Sequence, residues 1–204
     1  MRPTVLDLET PHGQAEAHIH RVRQPRAALG LGHGAGGGIE SRDLTAARDV
    51  ALEAGLTVVL VEQPYRVAGR RSPAPAAQLD AAWAAVVTFL RKRRLAGLPL
   101  VVGGRSSGAR VACRTAADTG AVGVLCLAFP LIPPRRSRPP QSRLPELDGV
   151  SVATLVVQGE NDRFGVPPAS AQRTVAVVRG DHALRTDLEA LRAAVRGWLA
   201  EVVP

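Results

Sequence analysis

A serine, an acid, a histidine and a glycine-rich turn hold most of the reactive chemistry in this chain, and each follows an apolar run. Ser106 lies in Gly104-Arg105-Ser106-Ser107-Gly108. This is a G-x-S-x-G frame, used where a buried strand turns so sharply into a helix that a Cβ at either glycine would clash. The frame also selects the serine, because centring it on Ser107 would place Arg105 and Ala109 where the glycines must be. A serine hydroxyl is a weak nucleophile until a neighbouring base takes its proton. Two later segments offer residues of the right types: Asp162, in Gly159-Glu160-Asn161-Asp162, and His182, in Arg179-Gly180-Asp181-His182.

Upstream, Ala27 to Leu31 run into His33-Gly34-Ala35-Gly36-Gly37-Gly38. Five glycines within Gly32 to Gly38 cannot hold a helix or a strand, so the loop serves a tight backbone that exposes N–H groups. Two functions fit. A phosphate cradle needs G-x-G-x-x-G opening a helix with an acid about 20 residues on, or a following Lys-Ser/Thr. No such lysine follows, and Glu62 is the only acid in a suitable place. An oxyanion hole needs a backbone N–H from the loop after an early strand, commonly written H-G-G-G, and His33-Gly34-Ala35-Gly36 is a near match. Other candidates for chemistry are weaker. His18 and His20 share a face of the alternating segment Gln14 to Val22, with His12 before it, but no further ligand at a useful spacing supports a metal, and they read as solvated strand histidines. Cys113 and Cys126 fall in apolar segments and read as buried thiols, with neither a disulfide nor a metal expected.

The segments between these motifs alternate in type. Thr57 to Val61, Leu98 to Val102, Gly123 to Ala128, Thr154 to Gln158 and Val175 to Val178 are continuous apolar runs, as strands buried on both faces of a parallel sheet should be. Between them lie helical stretches: Asp43, as a cap, to about Ala54; Ala76 to about Leu95, with Leu79, Trp83, Val86, Val87 and Leu90 on one stripe; the segment after Ser106; and a closing helix from Leu184 to Val202. Glu62 to Pro75 reads as a loop, and Pro130 to Pro145 is too rich in proline for regular structure. This alternation predicts an α/β three-layer sandwich, with a mostly parallel sheet of six to seven strands and helices on both faces. In such sheets sites form beyond the carboxyl ends of the strands, where the glycine loop, Ser106, Asp162 and His182 all fall. The 204 residues, 46% hydrophobic, suit one core, and no run of about 18 uncharged apolar residues exists to cross a membrane. The start lacks a signal-peptide pattern, so a cytoplasmic protein is the default. The net charge of +8 is carried almost wholly by arginines spread along the chain with few aromatics between them, which argues against nucleic acid as a partner. The basic run Arg91 to Arg94 needs no ligand, because cations complement a helix C-terminus.

Taken together, HGAGGG, GGRSSGAR, QGENDRFG and RGDHAL resemble the α/β-hydrolase family, whose triad runs serine, acid, histidine. The resemblance spans nearly the whole chain. It is narrower still to the small lidless branch near the dienelactone-hydrolase-like esterases, including the testis-expressed and chromatin-complex-subunit hydrolase-like proteins, to whose aromatic-Pro-Leu segment Phe129 to Pro134 is similar. It implies one lidless domain over residues 1–204 and a serine hydrolase acting on a small-molecule ester, thioester or related acyl bond, with no metal or organic cofactor. Ser106 would attack, His182 would relay the proton, and Asp162 would orient the imidazole; the N–H groups of Ser107 and Ala35 would form the oxyanion hole. Asp181 is the rival acid, disfavoured as the immediate neighbour of His182, and Glu160 is a third candidate. Dienelactone hydrolase has a cysteine at the elbow, so Ser106 does not carry that lactone substrate over. Arg105, Arg110 and the arginines from Arg135 to Arg143 would form a basic rim for acidic substrates, if they are not simply solvated. A hydrolase-fold binding or scaffold protein is the competing class, and nucleotide binding at the glycine loop a third.

Overall fold

The computed structural model describes residues 2–133 and 141–203. Its strands are β1 (Thr4–Thr10), β2 (Gly13–His20), β3 (Ala27–Gly32), β4 (Leu56–Glu62), β5 (Leu100–Arg105), β6 (Gly123–Leu127), β7 (Ala153–Gly159) and β8 (Arg173–Val178). They form one sheet in the order β1-β2-β4-β3-β5-β6-β7-β8. The strands from β4 to β8 in that order pair in parallel, and the β1–β2 hairpin joins antiparallel at the β4 edge. The chain leaves β3 to one side for β4 and returns on the other side as β5. That reversal opens a crevice beyond the carboxyl ends of β3 and β5, the usual place for a ligand in an open sheet.

The parallel strands are apolar along their whole length because helices cover both faces. On one face lie α1 (Arg42–Glu53) and α6 (Leu188–Val202), where Leu44, Val50, Leu191 and Trp198 meet Leu29, Leu31 and Leu60. On the other lie α3 (Ala76–Arg93) and α4 (Ser107–Thr119), where Trp83, Leu90 and Val111 meet Val59, Val102 and Val124. Cys113 and Cys126 are buried and free, their Sγ atoms 3.5 Å apart, well beyond the bonding distance of about 2.05 Å. Among the described residues no helix is long and apolar enough to cross a membrane.

The sheet has eight strands where six to seven are expected. The extra one is β1 (TVLDLET), an edge strand whose only buried residue is Leu8, so its pattern carries little apolar signal. Two short helices are not among the expected elements, α2 (Pro64–Val67) within an expected loop and α5 (Leu144–Asp148) at the end of another, each with a proline in its first turn, where the fixed φ suits a helix start. Asp43 is not a cap: Ser41 holds that position, and Asp43 lies inside the first turn. The closing helix begins later than expected, after Asp187, whose Oδ1 accepts from Ala190 N.

Trp83 is the largest side chain that is fully buried, and its ring lies under β3, 3.6 Å from where a Cβ on Gly30 would stand. Trp83→Ala is expected to cost about 3–5 kcal/mol of stability, measured by urea unfolding, because β3 cannot collapse into the cavity left.

Candidate active site

The turn after β5 is set by close packing of three backbones. A Cβ on Gly104 would stand 2.5 Å from the carbonyl oxygen of Gly32 and 2.7 Å from the carbonyl carbon of Gly108. A Cβ on Gly108 would collide with the backbone of Gly32 and lie 2.9 Å from the His33 carbonyl oxygen. Both glycines of the frame are therefore required by contact between β3, β5 and α4. Ser106 between them is forced to φ +52° and ψ −105°, one of four positive-φ non-glycine residues among those described. Its N–H donates to the Leu127 carbonyl (2.9 Å), and its carbonyl accepts from Arg110 N–H (3.2 Å). The hydroxyl is thereby held at the N-terminus of α4.

The structure brings His182 and Asp162 to this hydroxyl from two other loops. Ser106 Oγ and His182 Nε2 are 3.0 Å apart, and His182 Nδ1 lies 2.8 Å from Asp162 Oδ2. A carboxylate only accepts, so Nδ1 carries the ring proton and Nε2 offers its lone pair to the serine O–H. The Asp162 side chain is fully buried and accepts two further hydrogen bonds, from Gln158 Nε2 to Oδ2 (2.7 Å) and from Phe164 N–H to Oδ1 (2.9 Å). Phe164 also packs edge-on against the imidazole, with ring centroids 4.5 Å apart. Asp181 serves its own turn, accepting from Ala183 N–H at 2.8 Å, and Glu160 is exposed.

The glycine loop packs against the serine, since a Cβ on Gly34 would lie 3.6 Å from Ser106 Cβ. His33 anchors the loop's start. It is buried, donates from Nδ1 to the Gly34 carbonyl (2.8 Å) and accepts at Nε2 from Gln63 N–H (3.1 Å). Tyr65 O–H donates to the Ala35 carbonyl (3.0 Å), and burial pushes its phenol pKa up to about 12. Ala35, next to Gly34 in the chain, is thus held from its carbonyl side. Beyond Tyr65 lies a cavity of about 380 Å³, walled by the β1–β2 hairpin tip, α2 and the first turns of α3. Gln63, Tyr65 and Leu79 border both this cavity and a small recess lined by Ser107 and Gly108.

Of the arginines expected either as a basic rim or as simply solvated, those described are bonded within the protein. Arg105 Nε is ion-paired with buried Asp43 (2.9 Å), Arg110 with Glu146, and Arg114 with Asp80 and Glu146, so these cations are neutralised. Arg143 donates to the Pro130 carbonyl. Arg135, Arg136 and Arg138 lie outside the described residues. The histidine pattern also changes in three dimensions, because β4 brings Glu62 opposite Glu16. One ligand atom from each of Glu16, His18 and Glu62 then lies within 4.8 Å of the others, a grouping that the spacing within β2 could not reveal. Gln158, Asp43 and Phe164 are further site residues missed from the sequence. Gln158 alone had a signal, as a polar residue ending an otherwise apolar strand.

A family model described as an alpha/beta hydrolase domain matches residues 25–189. No curated protein sequence matches the chain. Among solved structures, an a/b serine hydrolase without lid from Xanthomonas campestris is similar with a TM-score of 0.78 at 20% identity, covering 100% of this chain and 96% of its own. A dienelactone hydrolase from Anabaena variabilis gives 0.78 at 14% identity and covers 100% of both chains. Est1E from Butyrivibrio proteoclasticus, solved with ferulic acid bound, gives 0.74 at 14%, covering 97% of this chain and 98% of its own. At these identities the likeness is one of fold.

Burial holds the His33 imidazole below its ordinary pKa. The unfolded chain takes up a proton there near pH 6.5 and the folded chain resists it, so the stability His33 contributes is full above that pH and is lost as pH falls toward the folded value. Urea unfolding at pH 7.5 and 5.5 should show a loss of stability on acidification that is smaller in His33→Asn.

Proposed function

Because the chain belongs to the alpha/beta hydrolase domain family, we propose that it is a serine hydrolase that cleaves a small ester, thioester or related acyl bond through an acyl-enzyme. The observation that carries this reading is the unbroken hydrogen-bonded series Ser106 Oγ, His182 and Asp162, with distances of 3.0 and 2.8 Å. His182 Nε2 accepts the Ser106 proton as Oγ bonds to the acyl carbon, and the imidazolium so formed is stabilised by the Asp162 carboxylate. The negative charge that develops on the acyl oxygen is met by the N–H groups of Ser107, at the first turn of α4, and Ala35. Each such donor is worth about 3–4 kcal/mol in the transition state. His182 returns the proton to the leaving group, and water then repeats the sequence to release the acid.

The ring is held by Asp162 at Nδ1 and by the edge-on packing of Phe164, so little reorganisation remains when charge appears. The 380 Å³ cavity beyond Tyr65 would take the acyl or leaving portion of a small molecule and is within the size range of ligand pockets. One domain without a lid is part of this reading. Between β6 and β7 the only described regular element is the five-residue α5, and the structurally similar Xanthomonas campestris protein is itself described as lidless.

A fluorophosphonate probe is expected to label the protein once, at Ser106, and Ser106→Ala to abolish labelling. His182→Ala should slow it by at least a hundredfold, because the hydroxyl loses its base. Labelling that survives Ser106→Ala would overturn the reading. An absence of labelling in the wild type, with no turnover on p-nitrophenyl esters, would favour a binding protein on a hydrolase fold.

A further inference from the structure

Resting on the serine-hydrolase reading, we infer that Arg105, the residue before the nucleophile, is a positioning residue that holds the histidine loop and the oxyanion loop in register with Ser106. Its guanidinium touches three segments that are far apart in the chain. Nε pairs with Asp43 Oδ2 in α1 at 2.9 Å. Nη2 donates to the carbonyl of His182 at 3.1 Å. Nη1 occupies the space beside Gly34, 2.8 Å from where a Cβ would stand. One planar group therefore bonds α1 and the loop that carries the general base to the end of β5, and packs against the loop that carries Ala35. A lysine presents a single point charge and cannot meet these directions together.

The Asp43 carboxylate is fully buried and is the anchor for this arrangement. Its other oxygen, Oδ1, accepts from Leu44 N–H at 3.0 Å. The ion pair with Asp43, the Nη2 hydrogen bond to the His182 carbonyl and the packing of Nη1 beside Gly34 together set the guanidinium plane. This also accounts for Gly34 independently of any need for loop flexibility: a methyl group there would displace Nη1. The consequence for catalysis is geometric. The Nε2 to Oγ distance depends on where the His182 backbone sits, and small misplacements of reacting groups carry large rate losses.

The proposal is tested by separating stability from rate. Arg105→Gln leaves Asp43 buried without its partner and lowers the melting temperature as well as kcat. Pairing it with Asp43→Asn removes the buried charge and restores most of the melting temperature. The expected result for the double variant is a kcat still at least tenfold below wild type, with KM changed less than threefold, on p-nitrophenyl acetate and with active sites counted by fluorophosphonate. Recovery of wild-type kcat in the double variant would overturn the positioning role and leave Arg105 as the counter-ion of Asp43. Gly34→Ala should lower kcat similarly and add little to the effect of Arg105→Gln; full additivity would also overturn the proposal. A readout free of turnover separates this inference from the hydrolase reading. Amide hydrogen exchange over Arg179–Leu184 should accelerate at least tenfold in the double variant, whether or not the protein hydrolyses anything. Unchanged exchange there would overturn the inference even if Ser106 proves to be the nucleophile.

Discussion

The contact between the backbones of Gly32, Gly104 and Gly108 is the constraint on which the rest of this structure depends. Three elements meet there with no side chain between them, and the geometry leaves Ser106 a conformation, φ +52°, that L-residues adopt at a cost of about 1–3 kcal/mol. That strain is sustained by burial on both sides of β3 and β5, where Leu29, Leu31, Val101 and Val102 are wholly inaccessible. The turn in exchange lifts the serine hydroxyl off the end of the sheet and sets it at the opening of α4, whose first N–H groups have no partner within the helix. A serine hydroxyl and the unpaired N–H groups of a helix start are thus brought together by one backbone contact.

Around that turn, the buried ionic groups obey a common rule: none stands alone. Asp162 accepts from an imidazole, an amide side chain and a backbone N–H. Asp43 has Arg105 and Leu44 N–H. A carboxylate moved from water into such surroundings is tolerated only when it has a counter-charge or hydrogen-bond donors beside it. The same bonds that make burial tolerable also restrict motion, so the site is rigid because it is polar and enclosed. Gln158 shows the principle from the other side. Its amide nitrogen lies within 3.1 Å of the Phe129 carbonyl, the Asp162 carboxylate and the Gly165 carbonyl, binding the end of β7 to the turn that presents the acid.

What could be read from the sequence was whatever is local in the chain. The elbow announced itself because its two glycines and its serine lie within five residues, and the parallel strands did so through continuous apolar runs. The residues that escaped are those whose meaning comes from distant segments. Arg105 looked like a surface cation because nothing near it in sequence is acidic; its partner Asp43 arrives from α1, and Asp43 itself looked like a helix cap. Glu62 faces Glu16 only because β2 returns antiparallel along β4. The edge strand β1 was missed for a different reason. It buries a single side chain, and without burial a strand has no apolar periodicity to display.

The choice between Asp162 and Asp181 shows how a long-range arrangement overrides sequence proximity. Asp181 is covalently next to His182, yet its carboxylate turns back to Ala183 N–H and contributes to the loop. Asp162 lies on the neighbouring strand's loop, and the two loops are locked together by Asn161 N–H donating to the Gly180 carbonyl at 2.9 Å. A Cβ on Gly159 would stand 2.7 Å from that same carbonyl oxygen, so the approach of the loops again needs a glycine. Because Asp162 and His182 follow β7 and β8, their alignment depends on the β7–β8 pairing, just as the placing of the serine depends on β3 and β5. The three side chains are therefore aligned only when the central strands β3 and β5 and the outer pair β7–β8 are assembled together.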